Sequence, residues 1–551
     1  MTILEKLQYA KNINEFAPLL GFQPKMVAYI LYKMLKNEKC YDTFTIPKKN
    51  GGVRIINSPN IKLKLLQRRL ANLLYDCQEE ILKNRKEKIG LSHGFRRGCS
   101  IYSNSLNHCK KRYVFNIDLK DFFPSINFGR VRGYFINDKN FRLNEKVATI
   151  IAQIACFENQ LPQGSPVSPI ISNFIGNILD VRMLKLSKEL KCYYSRYADD
   201  LTFSTNNKHF PNSIAFENGI SWTIGEELKA IIEDSGFKIN ETKLSMQYKN
   251  SRQTCVGLVI NRKVNVKQEY YKKVRAMCDN LFRNNTFYIN KEDERNSIAQ
   301  LEGMLNFVYW IKKHYYKRKT QDKDYKQNAI IKLYGKFLFY KHFINIDKPI
   351  IFTEGKSDVV YLKCALKNLK DSYSNLIEVV GDKFNFKINF FKTTNVFKDV
   401  FSFSEGTSGL EYMMNYYKRK IDSFNIPNHN MPIIIILDND KGAKGIKKLL
   451  EISNEVPYYK LFHKQMYVLF VEKKENTAIE NLFDEELLNV EINGKKFKAD
   501  KDNKTDGDNE KYFGKHIFSQ KVILPNYEKI NFDRFKPIFN NILEIISESR
   551  K

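Results

Sequence analysis

Six acidic residues, in two groups of three far apart in the chain, stand where carboxylates could gather around metal ions. Asp118 closes the apolar run YVFNID, and Asp199 and Asp200 sit at the centre of YYSRYADDLTFS (Tyr193 to Ser204), which reads as strand, tight turn, strand. Laying the two runs side by side would bring the three carboxylates together as an oxygen-only ligand set of the kind Mg²⁺ prefers. Nucleotidyl transfer needs two such ions about 3.5 to 4 Å apart, one activating the attacking hydroxyl and one neutralising the departing pyrophosphate. The competing reading of an Asp-Asp pair on a turn is a solvated loop.

The second group begins with Glu354 in TEGKSDVVYLKCAL, at a strand-to-helix turn where Gly355 permits the bend. Asp358 falls on the first helical turn, where the helix dipole favours an acid. Downstream, MPIIIILDND carries four Ile as a buried strand and delivers Asp438 and Asp440 to the carboxyl end of a sheet, where α/β sites form. EGxxD alone is a weak signal; the later DxD strengthens it.

These acids need scaffolds, and 551 residues exceed what one core usually organises, so two or three domains are expected. The first stretch reads as helical around FTIPKKNGGVRIINSP (Phe44 to Pro59), where Gly51 and Gly52 suggest a hairpin, followed by the helix IKLKLLQRRLANLLYD. After Gly257 the pattern turns helical and basic, and the Lys-rich WIKKHYYKRKTQDKDYKQ suggests a flexible surface segment. Beyond about 345, short apolar runs ending in acids suit a helix-covered parallel sheet. The formal net charge of +30 and a pI near 9.5 make a polyanion, foremost nucleic acid, the expected partner. No apolar run of about eighteen residues marks a membrane span, and the first residues lack the apolar core of a signal peptide, so a cytoplasmic protein without membrane attachment is expected. Nine cysteines without a CxxC pair fit neither a zinc site nor a disulfide framework.

NIDLKDFFPSI, LPQGSPVSPIISN and YADD, in that order, resemble three signature blocks of reverse transcriptases. The resemblance implies Asp118 and Asp199 as principal Mg²⁺ ligands, with Asp200 as the third acid. Phe123, five residues past Asp118, would occupy a sugar gate where a bulky ring collides with a ribose 2′-OH, while Phe122 suits core packing. Gln163 and Gly164 would line the nucleotide pocket, with a simple turn as the bland alternative. IPKKNGGVRIINSP resembles the family's fingers region, making Lys48, Lys49 and Arg54 candidates for gripping the triphosphate of a dNTP.

HGFRRGCSIYSNSLNHCKKRYVFNIDLKDFF and SRQTCVGLVIN are similar to segments of retron reverse transcriptases, although the family's Val-Thr-Gly reads Cys255-Val256-Gly257 here. That family implies a cognate structured noncoding RNA as partner, copied from a guanosine 2′-OH into a branched RNA-DNA molecule (msDNA). The basic stretch from about 265 to 340 would be the thumb, gripping phosphates. His93 and His108 could serve the RNA, but isolated histidines are more often structural, and both stay outside the catalytic set.

Glu354 with Asp438 and Asp440 resembles the TOPRIM fold of topoisomerases, primases and certain nucleases. The resemblance implies Asp438 and Asp440 on Mg²⁺, Glu354 as ligand or general acid and base, and Asp358 as supporting acid. ENTAIENLF and GKHIFSQKVI resemble the extended nuclease branch, which would make Glu480 a further ligand and Lys515 a stabiliser of the pentacovalent charge, with structural roles as the rival reading. Its target would be DNA or RNA, transfer RNA included.

The expected architecture is therefore an α+β right-hand polymerase followed by an α/β TOPRIM domain with a parallel sheet. Its parts are fingers and palm at 1–255, a basic helical thumb and linker at 256–345, and the nuclease-like domain at 346–551. The retron family further implies antiphage defence and a homo-oligomer with its RNA-DNA product. An intron-type or mobile-element enzyme and a catalytically idle RNA scaffold are the alternatives, which primer extension separates.

Overall fold

In a computed structural model the chain divides into two compact units, Met1–Gln268 and Glu269–Lys551. The structure describes all residues except 36–39, 49–50, 84–91, 220, 290–296, 320–327, 405, 425–430, 453–454, 500–510 and 551.

In the first unit β1 (Tyr41–Pro47) and β2 (Val53–Pro59) pair antiparallel, and Gly51 and Gly52 both take positive φ at the connection, which is the hairpin the two glycines suggest. α1 (Ile61–Lys83) buries Leu63, Leu66, Leu70, Leu74, Cys77 and Ile81, a three- and four-residue spacing that gives one apolar stripe and a basic outer face. β3 (Tyr113–Lys120) is the centre of the sheet. α2 (Ser168–Glu189) is buried over much of its circumference, and β4 (Tyr193–Tyr197) and β5 (Asp200–Thr205) form the expected strand, turn, strand. The sheet runs β4-β5-β3, and β3 is flanked on its other edge by β6 (Lys238–Ile239) and β7 (Ser245–Tyr248), every pair antiparallel. β8 (Thr254–Cys255) and β9 (Leu258–Val259) meet at a two-residue turn, Val256 and Gly257, both at positive φ. Such a turn requires that conformation at both positions, which costs a β-branched residue more than a glycine.

The second unit opens with helices α3 (Gln268–Asn284), α4 (Ile298–Lys319) and α5 (Ala329–Phe339), the last continuing into a π-helical turn, Tyr340–Ile344. α4 carries regular helix through Lys319, into the Lys-rich run that reads as a surface segment; the rest of that run, 320–327, lies outside the described residues. β10 (Ile350–Thr353), α6 (Lys356–Asn368), β11 (Asn389–Phe390), β12 (Ile433–Leu437), β13 (Tyr459–His463) and β14 (Met466–Phe470) follow. The sheet order is β11-β10-β12-β14-β13, parallel through the first four and antiparallel at the β13 edge. Every residue of β12 is buried, as a strand covered on both faces must be. One face packs on α6 and α7 (Lys536–Glu548) through Ile434, Ile436, Leu362 and Ile542. The other sets Phe352 parallel to Phe343, ring centroids 5.6 Å apart, so the helices of 269–345 share a unit with the sheet. Among the described residues no helix is long and apolar enough to cross a membrane.

Candidate functional sites

Asp118 and Asp200 are direct partners across the antiparallel β3–β5 pair, which puts both side chains on one face with Cβ atoms roughly 4.5 to 5.5 Å apart. Asp199 stands in the preceding turn, after Ala198 at a φ of 55°, and its carbonyl accepts from the Leu119 amide at 3.0 Å. Burial raises Asp199, and the Asp118 charge adds to it, while Lys243 and Arg54 pull it down. Burial and then Asp199 and Asp118 push Asp200 up to about 7. Asp199 and Asp200 thus resist ionising beside Asp118, and the cluster is short of a cation. Lys243 supplies one to Asp118, with Nζ 2.9 and 3.0 Å from its two oxygens, and Asn240 donates to the same carboxylate at 3.1 Å.

Two of these acids border a cleft of about 790 Å³. Asp118, Asp199, Lys48, Arg54, Phe123, Gln163 and Gly164 all line it, while Asp200 does not; Lys49 falls outside the described residues. Phe122 is 4% exposed and stacks on Phe237, whereas Phe123 reaches the cleft with its ring 6.0 Å from Phe95. The hairpin is fastened to the LPQG loop by the Asn57 amide, which donates to the Gln163 carbonyl at 2.7 Å. Gly164 sits at a φ of 122°, and a Cβ there would meet the Asn57 oxygen at 2.5 Å, so close approach and backbone angle both demand glycine.

The acids' turn is held from beneath by an ion pair that is not evident from the sequence. Arg196, fully buried, donates to both oxygens of Asp180 at 2.8 Å and to the Ala198 carbonyl at 3.0 Å. A Cβ at Gly176 would lie 2.6 Å from the guanidinium, which explains a glycine inside α2. The HGFRRG segment passes close by: the His93 amide donates to the Arg196 carbonyl, and Asn173 donates to the carbonyls of Gly94 and Phe95. His108 is fully buried between Ser204 and Ser195, each 2.7 Å from a ring nitrogen, and burial lowers it to about 3. It is a neutral structural residue. Burial likewise lowers His93, to about 4. Cys255, in the departure from Val-Thr-Gly, is buried with its sulfur 3.2 Å from the Asn104 amide nitrogen.

In the second unit Glu354 follows β10 and Asp438 follows the neighbouring parallel strand β12, so register alone brings them together; the Asp438 amide donates to Glu354 Oε1 at 3.2 Å. Asp358 accepts from the Gly355 amide at 2.8 Å and closes the first turn of α6. Asp440 is exposed and accepts from the Gly442 amide, close enough for its charge to act on Glu354. Asn439 between them is fully buried and donates to the carbonyls of Glu472, Lys473 and Lys474, tying down the loop that leads to Glu480. The Ile479 amide donates to Asp438 at 2.9 Å, and Lys515 donates to Glu480 at 3.0 Å.

Burial first, then Asp438 and Asp440, push Glu354 up to about 8; burial, then Asp358 and Glu480, push Asp438 up to about 7. Burial works against the Lys515 charge, but Glu480, Asp438 and Asp358 outweigh it and raise the group. Among the described residues no three acidic, His or Cys side chains close into a metal cage in either unit. That is compatible with Mg²⁺, which is commonly held by one or two carboxylates with waters and substrate phosphates completing the shell. The all-oxygen donors and their excess negative charge fit such an ion.

The family model for reverse transcriptase (RNA-dependent DNA polymerase) matches residues 46–260, which define the first unit as a polymerase domain of that class. Retron Mx65 reverse transcriptase of Myxococcus xanthus is 30% identical over 302 residues, 51% of this chain and 63% of that protein. Retron Ec86 reverse transcriptase of Escherichia coli is 31% identical over 275 residues, 49% of this chain and 75% of that protein. The chain belongs to the retron reverse transcriptase family. It spans less than two thirds of the length of the Myxococcus relative. Apo telomerase from Candida tropicalis aligns with a TM-score of 0.31 and 13% identity over 70% of this chain and 66% of that one, too loose a likeness to add to the fold.

Proposed function

We propose that this protein is an RNA-directed DNA polymerase that copies a cognate structured noncoding RNA into msDNA, primed from an RNA 2′-OH, and that it also carries a TOPRIM nuclease acting in antiphage defence. The observation that carries the polymerase reading is the shared cleft, where Asp118 and Asp199 meet Lys48, Arg54, Phe123, Gln163 and Gly164. Asp118, Asp199 and Asp200 would hold Mg²⁺, which activates the attacking hydroxyl and neutralises the leaving pyrophosphate when bound. Lys48 and Arg54 bind the triphosphate of the incoming dNTP. Phe123, propped by Phe95, excludes the ribose 2′-OH, and the Gly164 backbone lets the nucleotide approach closely. Lys243 neutralises Asp118 in the metal-free protein.

In the same reading residues 1–255 are fingers and palm, 256–345 thumb and linker, and 346–551 the TOPRIM domain. Glu354, Asp438 and Asp440 would hold Mg²⁺ there. A Glu354 pushed up to about 8 is suited to exchanging protons at the scissile phosphate near neutral pH. Asp358 and Glu480 add negative charge around Asp438, and Lys515 balances it. The RNA-DNA product, in a homo-oligomeric complex in the cytoplasm, restrains the nuclease until infection releases it onto DNA or RNA.

Nucleic acid copurifying with the parent protein and with an Asp199→Ala, Asp200→Ala form tests the polymerase reading. A short single-stranded DNA joined to RNA in the parent alone is the expected result; RNA without DNA in both would overturn it. Equal phage protection by an Asp438→Ala, Asp440→Ala form would overturn the defence role of the nuclease.

A further inference from the structure

A pocket of about 420 Å³ opens beside Glu354, on the side of the sheet edge where β11 ends. Its lining sets aromatic and cationic groups beside the acid cluster. Phe390, Phe391 and Phe403 provide aromatic surface, and Lys363 and Lys392 provide ammonium groups. The Phe391 ring is fixed in advance, stacked on Phe352 at 4.3 Å and set edge-on to Phe397 at 5.0 Å. Lys363 lies over the Phe390 ring at 5.3 Å. Burial, followed by repulsion from Lys367 and Lys392, lowers Lys363, so positive charge accumulates here and an anion would relieve it. Rings that stack on bases, beside lysines that bind phosphate, are the elements of sites for unpaired nucleotides. The volume falls within the range of about 300 to 1,000 Å³ common for small-ligand sites.

We propose that this pocket takes one unpaired nucleotide of the nuclease substrate, its base against Phe391 and Phe403 and its phosphate on Lys363 and Lys392, so that the adjoining phosphodiester reaches Glu354 and Asp438. The proposal rests on the nuclease reading of that cluster and adds a substrate class to it: single-stranded or locally unpaired nucleic acid. A base in an intact duplex would first have to leave its stack, so the pocket discriminates by strand state rather than by sequence.

Photocrosslinking tests this on the full-length protein without added metal, so that nothing is cut. Single-stranded oligonucleotides carrying 5-iodouridine in RNA or 5-iododeoxyuridine in DNA are irradiated with the protein, and crosslinked peptides are mapped by mass spectrometry. Crosslinks within residues 389–403 are expected from at least one strand, and the two arms show whether ribose, deoxyribose or both are accepted. Losing one base stack or one phosphate contact, by Phe403→Ala or Lys392→Glu, should weaken them about tenfold. Lys392 is exposed, so its substitution leaves the fold intact. Crosslinks that avoid 389–403, or that persist when the oligonucleotide is fully paired, overturn the pocket. Cleavage assayed in parallel with Mg²⁺ separates the two ideas. Cutting without these crosslinks removes the pocket and keeps the nuclease; crosslinks without cutting keep a nucleotide pocket and remove the nuclease.

Discussion

Asp118 and Asp200 face each other across one antiparallel strand pair, with Asp199 contributed by the turn between β4 and β5. Glu354 and Asp438 come from neighbouring parallel strands and meet across a sequence separation of 84 residues. An antiparallel pair can close through a tight turn, whereas parallel strands need a long crossover. Each arrangement packs two of its acids into one short segment, YADD or DND; in the first that segment is the tight β4–β5 turn itself, whereas in the second it follows a strand whose parallel partner lies a long crossover away. Compensation differs as well. In the first unit a solvent-facing lysine, Lys243, meets the acid at the cleft, whereas in the second Lys515 meets Glu480, whose side chain is 4% exposed.

If the two clusters are separate catalytic sites, each should fail alone. Asp199→Ala with Asp200→Ala should lower primer extension by about a thousandfold or more, the scale expected when metal ligands are removed, while leaving Mg²⁺-dependent cleavage intact. Asp438→Asn should do the reverse. Loss of both activities from either change would collapse the comparison into a single site. The buried support of the first cluster gives the next largest effect. Arg196→Met leaves Asp180 in the core with the Tyr194 hydroxyl but without its counter-charge and should cost about 3 to 5 kcal/mol in urea denaturation.

The comparison sharpens with pH. The metal-free folded state holds Glu354 at about 8 and Asp438 at about 7, against ordinary values of 4.5 and 3.8. Across that window this pair binds more protons in the folded chain than in the unfolded one, so its contribution to stability is full at low pH and is lost as pH rises toward about 8. Thermal melting of the metal-free protein should show that decline, Mg²⁺ should stabilise more at pH 8 than at pH 6, and Glu354→Gln should flatten the slope. An unchanged slope in that variant would exclude Glu354 as its source. The smallest effect belongs to Lys243→Ala, which removes an exposed pair from a lysine 55% accessible and should change unfolding by less than about 1 kcal/mol.

The hairpin at Gly51 and Gly52, the strand-turn-strand around Asp199 and the buried IIIIL strand were legible because each is a local pattern: paired glycines, alternation about a turn, an uninterrupted apolar run. Clustering of Glu354 with Asp438 was readable from two strands ending in acids. Arg196 was not, since an arginine within YYSRYADD has the same letter whether it is solvated or sealed against Asp180 in α2. Lys243, Phe95 and Asn439 escaped for the same reason: each acts through a contact between distant segments. The division of the chain at 268 was equally hidden, because a change from mixed to helical pattern does not reveal what those helices pack against.

Phe343 and Phe352 lie parallel at 5.6 Å, and Phe339 rests on Phe424 in the same manner. Phe352 stands two residues before Glu354. The basic helices and the strand bearing that acid are therefore joined as a handle is to a blade, with the stacked rings of Phe343 and Phe352 as the joint, two peptide links from Glu354. A chain divided at 345 would lose that joint and uncover Phe352 and Phe424 on the side those helices shield.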